Sequence, residues 1–381
     1  MRILQPVQYF YPYIGGQEKY IYNLSKQLIR MGNQVDIITS NFPAAPRLDS
    51  MEGINIKRLP IIARILRNPI APGFLIAGRI ASAYDIIHLH NEHGFPTMIA
   101  STIWAKSRPY ILTCHGQLQY GNRVSDISER MYTKTIARLV FSKVDRICVN
   151  SSLDRDYIRR IDPLASDKLR VVSNAVDPMR LEEVRKSAQN VSLPFQSPEG
   201  SFKILFVGRI IRRKGIEWLL KAVRILIKEK GRTDVILTLV GSGEDSLEFI
   251  RMSQELGIAN QIHFMGEVSD EILINMYENS DLFVLPSLSE VCPTVLLEAM
   301  YFRLPVVSTR IAGIMDHFSD TAILVPTMDE RLLAMEIENL LDDEKKRKSL
   351  SVKGRERILS QYTWPQVARK YLEIYSEAIE S

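Results

Sequence analysis

Leu282-Phe283-Val284-Leu285-Pro286-Ser287-Leu288-Ser289-Glu290-Val291-Cys292-Pro293-Thr294-Val295-Leu296-Leu297-Glu298-Ala299-Met300 is the stretch whose reading decides the fold. The apolar run 282–285 reads as a buried strand. A Pro- and Ser-rich turn follows, and then a helical pattern that stops before Pro305. Glu290 therefore falls on the turn after a strand, and Glu298 within the first turns of the next helix. In an open parallel α/β sheet ligands bind at that edge, where two acids suit the hydroxyls of a sugar and a ribose. An early helical Glu also complements the macrodipole without any ligand. The segment alone leaves both readings open.

The same unit recurs in both directions. Short β-rich apolar runs alternate with amphipathic segments, which implies βα units and parallel sheets. Strands are expected at 2–6, 34–39, 54–59, 86–90, 110–114, 146–149 and 169–172. In the second half they are expected at 203–207, 235–240, 262–264, 282–285, 306–308 and 322–325. Between the halves, 185–201 is polar and holds Pro194, Pro198 and Gly200, the composition of a connector. The expectation is an α/β chain of two doubly wound domains, 1–180 and 202–363, joined by a linker at 181–201. Substrate would sit in the cleft between them.

With 381 residues and 46% hydrophobic content the chain fits two globular domains with full cores. No apolar run reaches the roughly 18 residues that span a bilayer. Residues 1–16 read as strand and loop rather than as a signal peptide. Cys114, Cys148 and Cys292 are odd in number and widely spaced, which fits a reducing cytosol and neither a disulfide framework nor a zinc site. Residues 1–178 carry 23 Lys and Arg against 14 Asp and Glu. A basic first half suggests an anionic partner such as a phospholipid surface, a lipid-linked phosphate or an acidic glycan. Nucleic acid is not expected, because no basic run is interleaved with aromatics. The segment 54–82, with Arg58, Arg64, Arg67 and Arg79, reads either as a basic element on a membrane surface or as a loop and helix with snorkelling arginines. The expected location is the cytoplasm, with peripheral attachment to the inner face of the cell membrane as an extension.

Several further motifs carry chemistry. Pro12-Tyr13-Ile14-Gly15-Gly16 joins the first strand to a helix, where backbone amides favour an anion. Gly208-Arg209-Ile210-Ile211-Arg212-Arg213-Lys214-Gly215 offers cations beside a helix start, suited to a diphosphate. It lacks the Walker spacing, and a solvated basic turn is the alternative. His88, His90, His93 and His115 all fall at strand ends. No acid or cysteine at proper spacing completes a metal site. Cys114 reads as a small buried side chain. Asp154 and Asp156 read as first-turn helix residues after the cap candidates Asn150, Ser151 and Ser152.

The order of these motifs is more specific than any one of them. Gly15-Gly16, His115-Gly116, Asn174-Ala175-Val176-Asp177, Gly208-Arg209 with Lys214-Gly215, Gly241-Ser242-Gly243, Phe264-Met265-Gly266 and Pro286-Ser287 with Glu290 and Glu298-Ala299-Met300 follow one another along the chain. The series resembles the retaining glycosyltransferases of GT-B fold (family 4 of that enzyme class, glycosyl transferases group 1) over nearly the whole length.

The resemblance implies two Rossmann-like domains facing across a cleft, the first for the acceptor and the second for a nucleotide-sugar donor. It implies that Arg209 and Lys214 bind the diphosphate, Glu298 the ribose, and Glu290 the transferred sugar. Thr294 and Val295 would complete the donor set at the helix start. Gly16 would offer an amide to the phosphate, His115 would line the reaction centre, and Gly266 and Val268 would frame the base. The last helix, 364–381, would cross back onto the first domain. No metal and no separate cofactor is implied. The acceptor would be a hydroxyl of a glycan or a lipid-linked molecule. There are departures: Val291-Cys292-Pro293 replaces the common Gly-Phe-Gly, so any contact through the amide of residue 293 is lost. Arg303 stands where glycine is common, and Asp316 where Glu is usual. Competing readings are a nucleotide-sugar epimerase or glycan phosphorylase of the same architecture, and a non-catalytic nucleotide-sugar-binding subunit.

Overall fold

Strands covered on both faces are apolar along their length, and most inner strands of the two large sheets are of this kind. The computed structural model describes residues 1–65, 68–115, 133–189, 191–195 and 197–381. It divides into two units, Met1–Asn174 with Trp364–Ser381, and Ala175–Thr363.

The first unit holds β1 (Arg2–Val7), β2 (Gln34–Ser40), β3 (Leu48–Met51), β4 (Ile54–Leu59), β5 (Ala63–Ile65), β6 (Asn68–Ile70), β7 (Ile86–His90), β8 (Tyr110–Thr113), β9 (Arg146–Val149) and β10 (Leu169–Val171). Eight of these form one sheet in the order β10-β9-β8-β7-β1-β2-β4-β3. All of its pairings are parallel except β3 with β4 at the edge. Chain order reverses between β1 and β7, so their carboxyl ends flank a topological switch point. The helix Trp364–Glu380 belongs to this unit and buries Trp364, Val367, Tyr371, Ile374 and Tyr375.

The second unit holds β11 (Phe202–Val207), β12 (Val235–Val240), β13 (Ile262–Gly266), β14 (Leu282–Leu285), β15 (Val306–Thr309) and β16 (Ile323–Val325). Their order, β13-β12-β11-β14-β15-β16, is that of the dinucleotide-binding sheet, with the switch point between β11 and β14. Every residue of β12 and β14 is buried. The chain leaves the first unit after Asn174 and returns after Thr363, and Val176 N donates to Tyr362 O at 2.9 Å beside that return.

Three expectations are corrected. The linker expected at 181–201 begins inside a helix, Pro178–Ala188, which belongs to the second unit. Asp177 caps it by accepting from the Met179 and Arg180 amides, and Pro178 fits its first turn. Asn275 Nδ2 donates to Ala188 O at 2.9 Å and Val191 O at 2.6 Å, fastening the helix end to the unit. The polar composition concealed a capped helix, and the boundary lies at Asn174 rather than at 180. In 54–82, β4 is an inner strand, and β5 pairs with β6 in a hairpin. Arg58 is no surface cation. It is buried, and its guanidinium donates to Pro46 O and Tyr11 O and pairs with Asp49 at 3.0 Å. Arg64 lies over the Phe42 ring at 4.0 Å, and Arg67 falls outside the described residues.

Candidate active site

The loops after β11 and β14 meet at the switch point of the second unit. Gly208 N donates to Val240 O and Ile210 N to Ser242 O, both at 2.9 Å, and Gly241 N donates to Gly266 O at 2.7 Å. These bonds align the ends of β11, β12 and β13. Gly241 has φ +124°, and a β-carbon there would lie 2.0 Å from Gly208 O, so only glycine lets these loops approach. From the other side, Leu288 N donates to Arg213 O at 2.9 Å and Arg213 Nη1 to Ser289 O at 3.3 Å.

This lacing brings Lys214 Nζ to 2.5 Å from Glu290 Oε1. Both side chains are nearly enclosed, 12% and 10% exposed, so each charge is compensated by the other. Ser287 Oγ donates to the same carboxylate oxygen at 2.8 Å, and Thr309 Oγ1 holds the Ser287 carbonyl at 2.5 Å. The neighbouring cations are differently engaged. Arg212 pairs with Glu248 at 2.8 Å, whereas Arg209 is exposed and enters no ion pair among the described residues.

The helix Thr294–Tyr301 starts four residues beyond Glu290 and has no side-chain cap, which leaves its first amides, at Thr294 and Val295, for an outside acceptor. Glu298 lies in its second turn. Buried Tyr277 donates from its hydroxyl to Glu298 Oε2 at 3.0 Å, and burial together with that carboxylate holds the phenol far above its ordinary pKa. Gly266, in the left-handed region at φ +65°, ends β13, and half-buried Val268 packs on the core of the unit. Sequence reasoning named Lys214, Glu290 and Glu298 as candidate site residues, did not name Tyr277, and gave Ser287 no role. Ser287 was visible as a polar residue at a strand end. Tyr277 carried no signal, because its partner is 21 residues away on another helix.

In the first unit the strand-end histidines form one buried network. His90 Nδ1 lies 3.1 Å from His115 Nε2, and His90 Nε2 lies 3.0 Å from Gln5 Oε1. His88 contacts Thr113 Oγ1 at 2.8 Å and the Tyr375 hydroxyl at 2.7 Å. Tyr371 links Thr113 to Tyr20. Burial pulls the pKa of His88 down to about 3, that of His115 to about 4, and that of His90 well below its usual value. All three rings are neutral at physiological pH. Gly16 opens the helix Gly16–Arg30, but the Glu18 carboxylate folds back so closely that a β-carbon on Gly15 would lie 2.4 Å from Glu18 Oε2. Burial raises the Glu18 pKa. Gly116 lies outside the described residues.

Cys114 and Cys148 are buried thiols, and burial pushes Cys148 up to about 12 and Cys114 well above its usual value, so neither is a thiolate nucleophile. Asp154 is buried in the first turn of the helix Ser152–Ile161, its amide bound by Ser151 Oγ. Among the described residues no three His, Cys, Asp or Glu side chains gather as a metal site would need. No helix there is long and apolar enough to cross a membrane.

Two family matches divide the chain much as the fold does. Residues 14–180 match Glycosyltransferase Family 4 and residues 190–357 match Glycosyl transferases group 1. The chain belongs to the group 1 glycosyl transferases. This glycosyltransferase is 26% identical to an uncharacterized glycosyltransferase of Methanocaldococcus jannaschii, over 96% of its own length and 95% of the relative's. It is also 26% identical to the D-inositol 3-phosphate glycosyltransferase of Saccharomonospora viridis, over 96% and 90% of the two chains. Among solved structures, HepE of Anabaena, in complex with UDP and glucose, superposes with a TM-score of 0.74 at 18% identity over 99% and 100% of the chains. The glycosyltransferase thus has the GT-B fold, with two Rossmann-like parallel-sheet domains.

Proposed function

We propose that this glycosyltransferase moves a hexose from a nucleoside-diphosphate sugar to a hydroxyl acceptor with retention of anomeric configuration. The observation that carries the proposal is the Lys214–Glu290 pair at the switch point of the second unit. An enclosed cation sits against an enclosed acid, with a helix start that lacks a side-chain cap and an exposed arginine in adjoining segments. A diphosphate takes Lys214, Arg209 and the amides of Thr294 and Val295. Glu290, steadied by Ser287, takes hydroxyls of the sugar, and Glu298 takes the ribose. Gly266 and Val268 frame the base, and Gly16 and His115 are assigned to the phosphate and the reacting sugar. The complex of HepE with UDP and glucose makes a uridine nucleotide the first donor to test.

The sugar C1–oxygen bond to the diphosphate breaks, and C1 bonds the acceptor oxygen on the same face. The acceptor proton passes to the departing phosphate. Charge accumulates on that phosphate, so fixed donors aimed at it lower the barrier. Side-chain cations offset this negative charge, so the reaction is proposed to run without a metal. The acceptor is a glycan or lipid-linked hydroxyl, offered to the first unit at an anionic membrane surface. The basic balance of residues 1–178 supports that placement, as do Ile62, Leu75, Ile76 and Ile80, exposed in the same stretch of sequence as exposed Arg64 and Arg79.

Incubation with UDP-glucose, UDP-N-acetylglucosamine and GDP-mannose tests the proposal through release of nucleoside diphosphate. Acceptor-dependent release with an α-linked product from an α-linked donor supports it. Release that requires inorganic phosphate indicates a phosphorylase, conversion of the donor alone an epimerase, and binding without turnover a non-catalytic subunit. Each of these three overturns it.

A further inference from the structure

The histidine network of the first unit has a direction. Gln5, wholly buried on β1, donates from Nε2 to Ser25 Oγ at 3.1 Å, so its Oε1 is the atom that faces His90 Nε2 at 3.0 Å. A serine inside a helix has a backbone carbonyl one turn back for its own proton, which leaves its oxygen to accept from Gln5. A carbonyl oxygen only accepts, so His90 must carry its proton on Nε2. A neutral imidazole has one N–H, so His90 Nδ1 is an acceptor. Its partner, His115 Nε2 at 3.1 Å, must then be the donor. The proton of His115 is fixed on Nε2, and Nδ1 is left with a lone pair. His115 is half-buried, and among the described residues no hydrogen bond reaches that Nδ1.

We propose that Gln5 and His90 are positioning residues that hold His115 as its Nε2–H tautomer, so that Nδ1 accepts a hydrogen bond from a substrate hydroxyl. This rests on the glycosyltransferase reading for the substrate, but not for the relay. Packing reinforces the arrangement. The His90 and His115 rings lie nearly parallel with centroids 5.4 Å apart, and Tyr20 meets His115 edge-on at 5.1 Å. The consequence is selectivity. The group opposite His115 must present an O–H or N–H. An analogue with fluorine, an ether or a carboxylate in that place leaves two acceptors facing each other, and a site built around a hydrogen bond rejects such a ligand strongly.

Nitrogen NMR of the full-length protein, labelled on histidine, reads the tautomers directly at neutral pH without substrate. The expected spectrum shows His90 and His115 protonated on Nε2, with Nδ1 of each in the unprotonated range. A His115 proton on Nδ1 would overturn the relay, and this measurement needs no variant to fold. Gln5→Leu is then expected to let His115 redistribute its proton and to lower kcat about tenfold or more. A folded Gln5→Leu protein with unchanged tautomers and unchanged kcat sinks the positioning role. Saturating UDP-glucose, or whichever donor is turned over, is expected to shift the His115 Nδ1 signal towards a hydrogen-bonded value. No shift with donor and acceptor both bound overturns the acceptor role. Failure of every donor in the transfer assay removes the proposed function, while the substrate-free spectrum still decides the relay.

Discussion

Gly215 lies so close to Pro286 that a β-carbon on it would fall 1.9 Å from the Pro286 carbonyl oxygen. The contact joins the loop bearing Lys214 to the loop bearing Glu290, and Gly215 holds φ +71°, where a side chain is strained. Gly215→Ala is expected to lose about 2–4 kcal/mol of stability from backbone strain and overpacking together. Thermal unfolding measures it, and an unchanged midpoint would show that the two loops are not wedged. Gly16→Ala is the control, since a β-carbon there meets nothing within 4 Å.

Lys214→Ala and Arg209→Ala are each expected to cut kcat by about a hundredfold, the usual cost of losing one fixed transition-state donor. They should differ in stability. Lys214→Ala strips the enclosed Glu290 of its cation and should cost about 1–3 kcal/mol, whereas Arg209 is exposed and its loss should change little. Near-normal turnover in either variant, in a steady-state assay, contradicts the assigned diphosphate site.

Tyr277→Phe deletes only the hydroxyl that donates to Glu298. The carboxylate then loses a fixed orientation, and the donor KM should rise about tenfold with kcat little changed, as for loss of a hydrogen bond to a charged group. The penalty should shrink for a 2′-deoxyribose donor. An equal penalty for both donors would place Glu298 away from the ribose.

His88 and His115 titrate near 3 and 4 in the folded chain against 6.5 for a free ring. Their folded values are depressed, so their contribution is complete above about pH 6.5 and is lost as the pH falls towards those values. The unfolded chain takes up the protons first. Each ring should lower stability by about 1.4 kcal/mol per pH unit across that interval. Unfolding followed from pH 7 to pH 4.5 checks the slope. His88→Gln should remove about one proton from it, and a flat profile would mean that the rings take up protons as readily in the folded chain as in the unfolded one.

Arg303 sits at φ +63° with its side chain exposed, one of four non-glycine residues in the left-handed region among those described. Its amide ends the helix Thr294–Tyr301 by donating to Met300 O at 3.0 Å. Arg303→Gly should relieve that conformation and stabilise the second unit by up to about 1 kcal/mol. A lowered midpoint would show that the guanidinium contributes an interaction that outweighs the strain.

Sequence alone placed the long buried strands within a residue or two, because runs such as 235–240 and 282–285 are apolar throughout and end at glycine, proline or serine. It did not reveal β3 or the β5–β6 hairpin. Those strands are only three or four residues long, and pairing rather than hydrophobic pattern defines them. Arg58 was misread for a related reason: composition counts its charge, while burial depends on Asp49 of β3 and on the carbonyls of Pro46 and Tyr11, which come from different loops. At the candidate site, Lys214 and Glu290 were singled out because strand-end loops carry ligands, and Glu298 as an early residue of the following helix. Their supports were not. Gln5 and His90 are 85 residues apart, and no local spacing links them.

The helix Trp364–Glu380 completes the first unit, closing over His88 and Thr113 with Tyr375 and Tyr371. During synthesis, the final element needed by this N-terminal lobe therefore emerges only after Thr363 has passed. Residues 175–363 are contiguous and need no later segment to complete their unit, whereas the lobe whose first strand was made long before must wait for its last helix. A truncation that removes only the last few turns should thus expose the apolar surface of the earlier-made lobe and leave the later-made one intact.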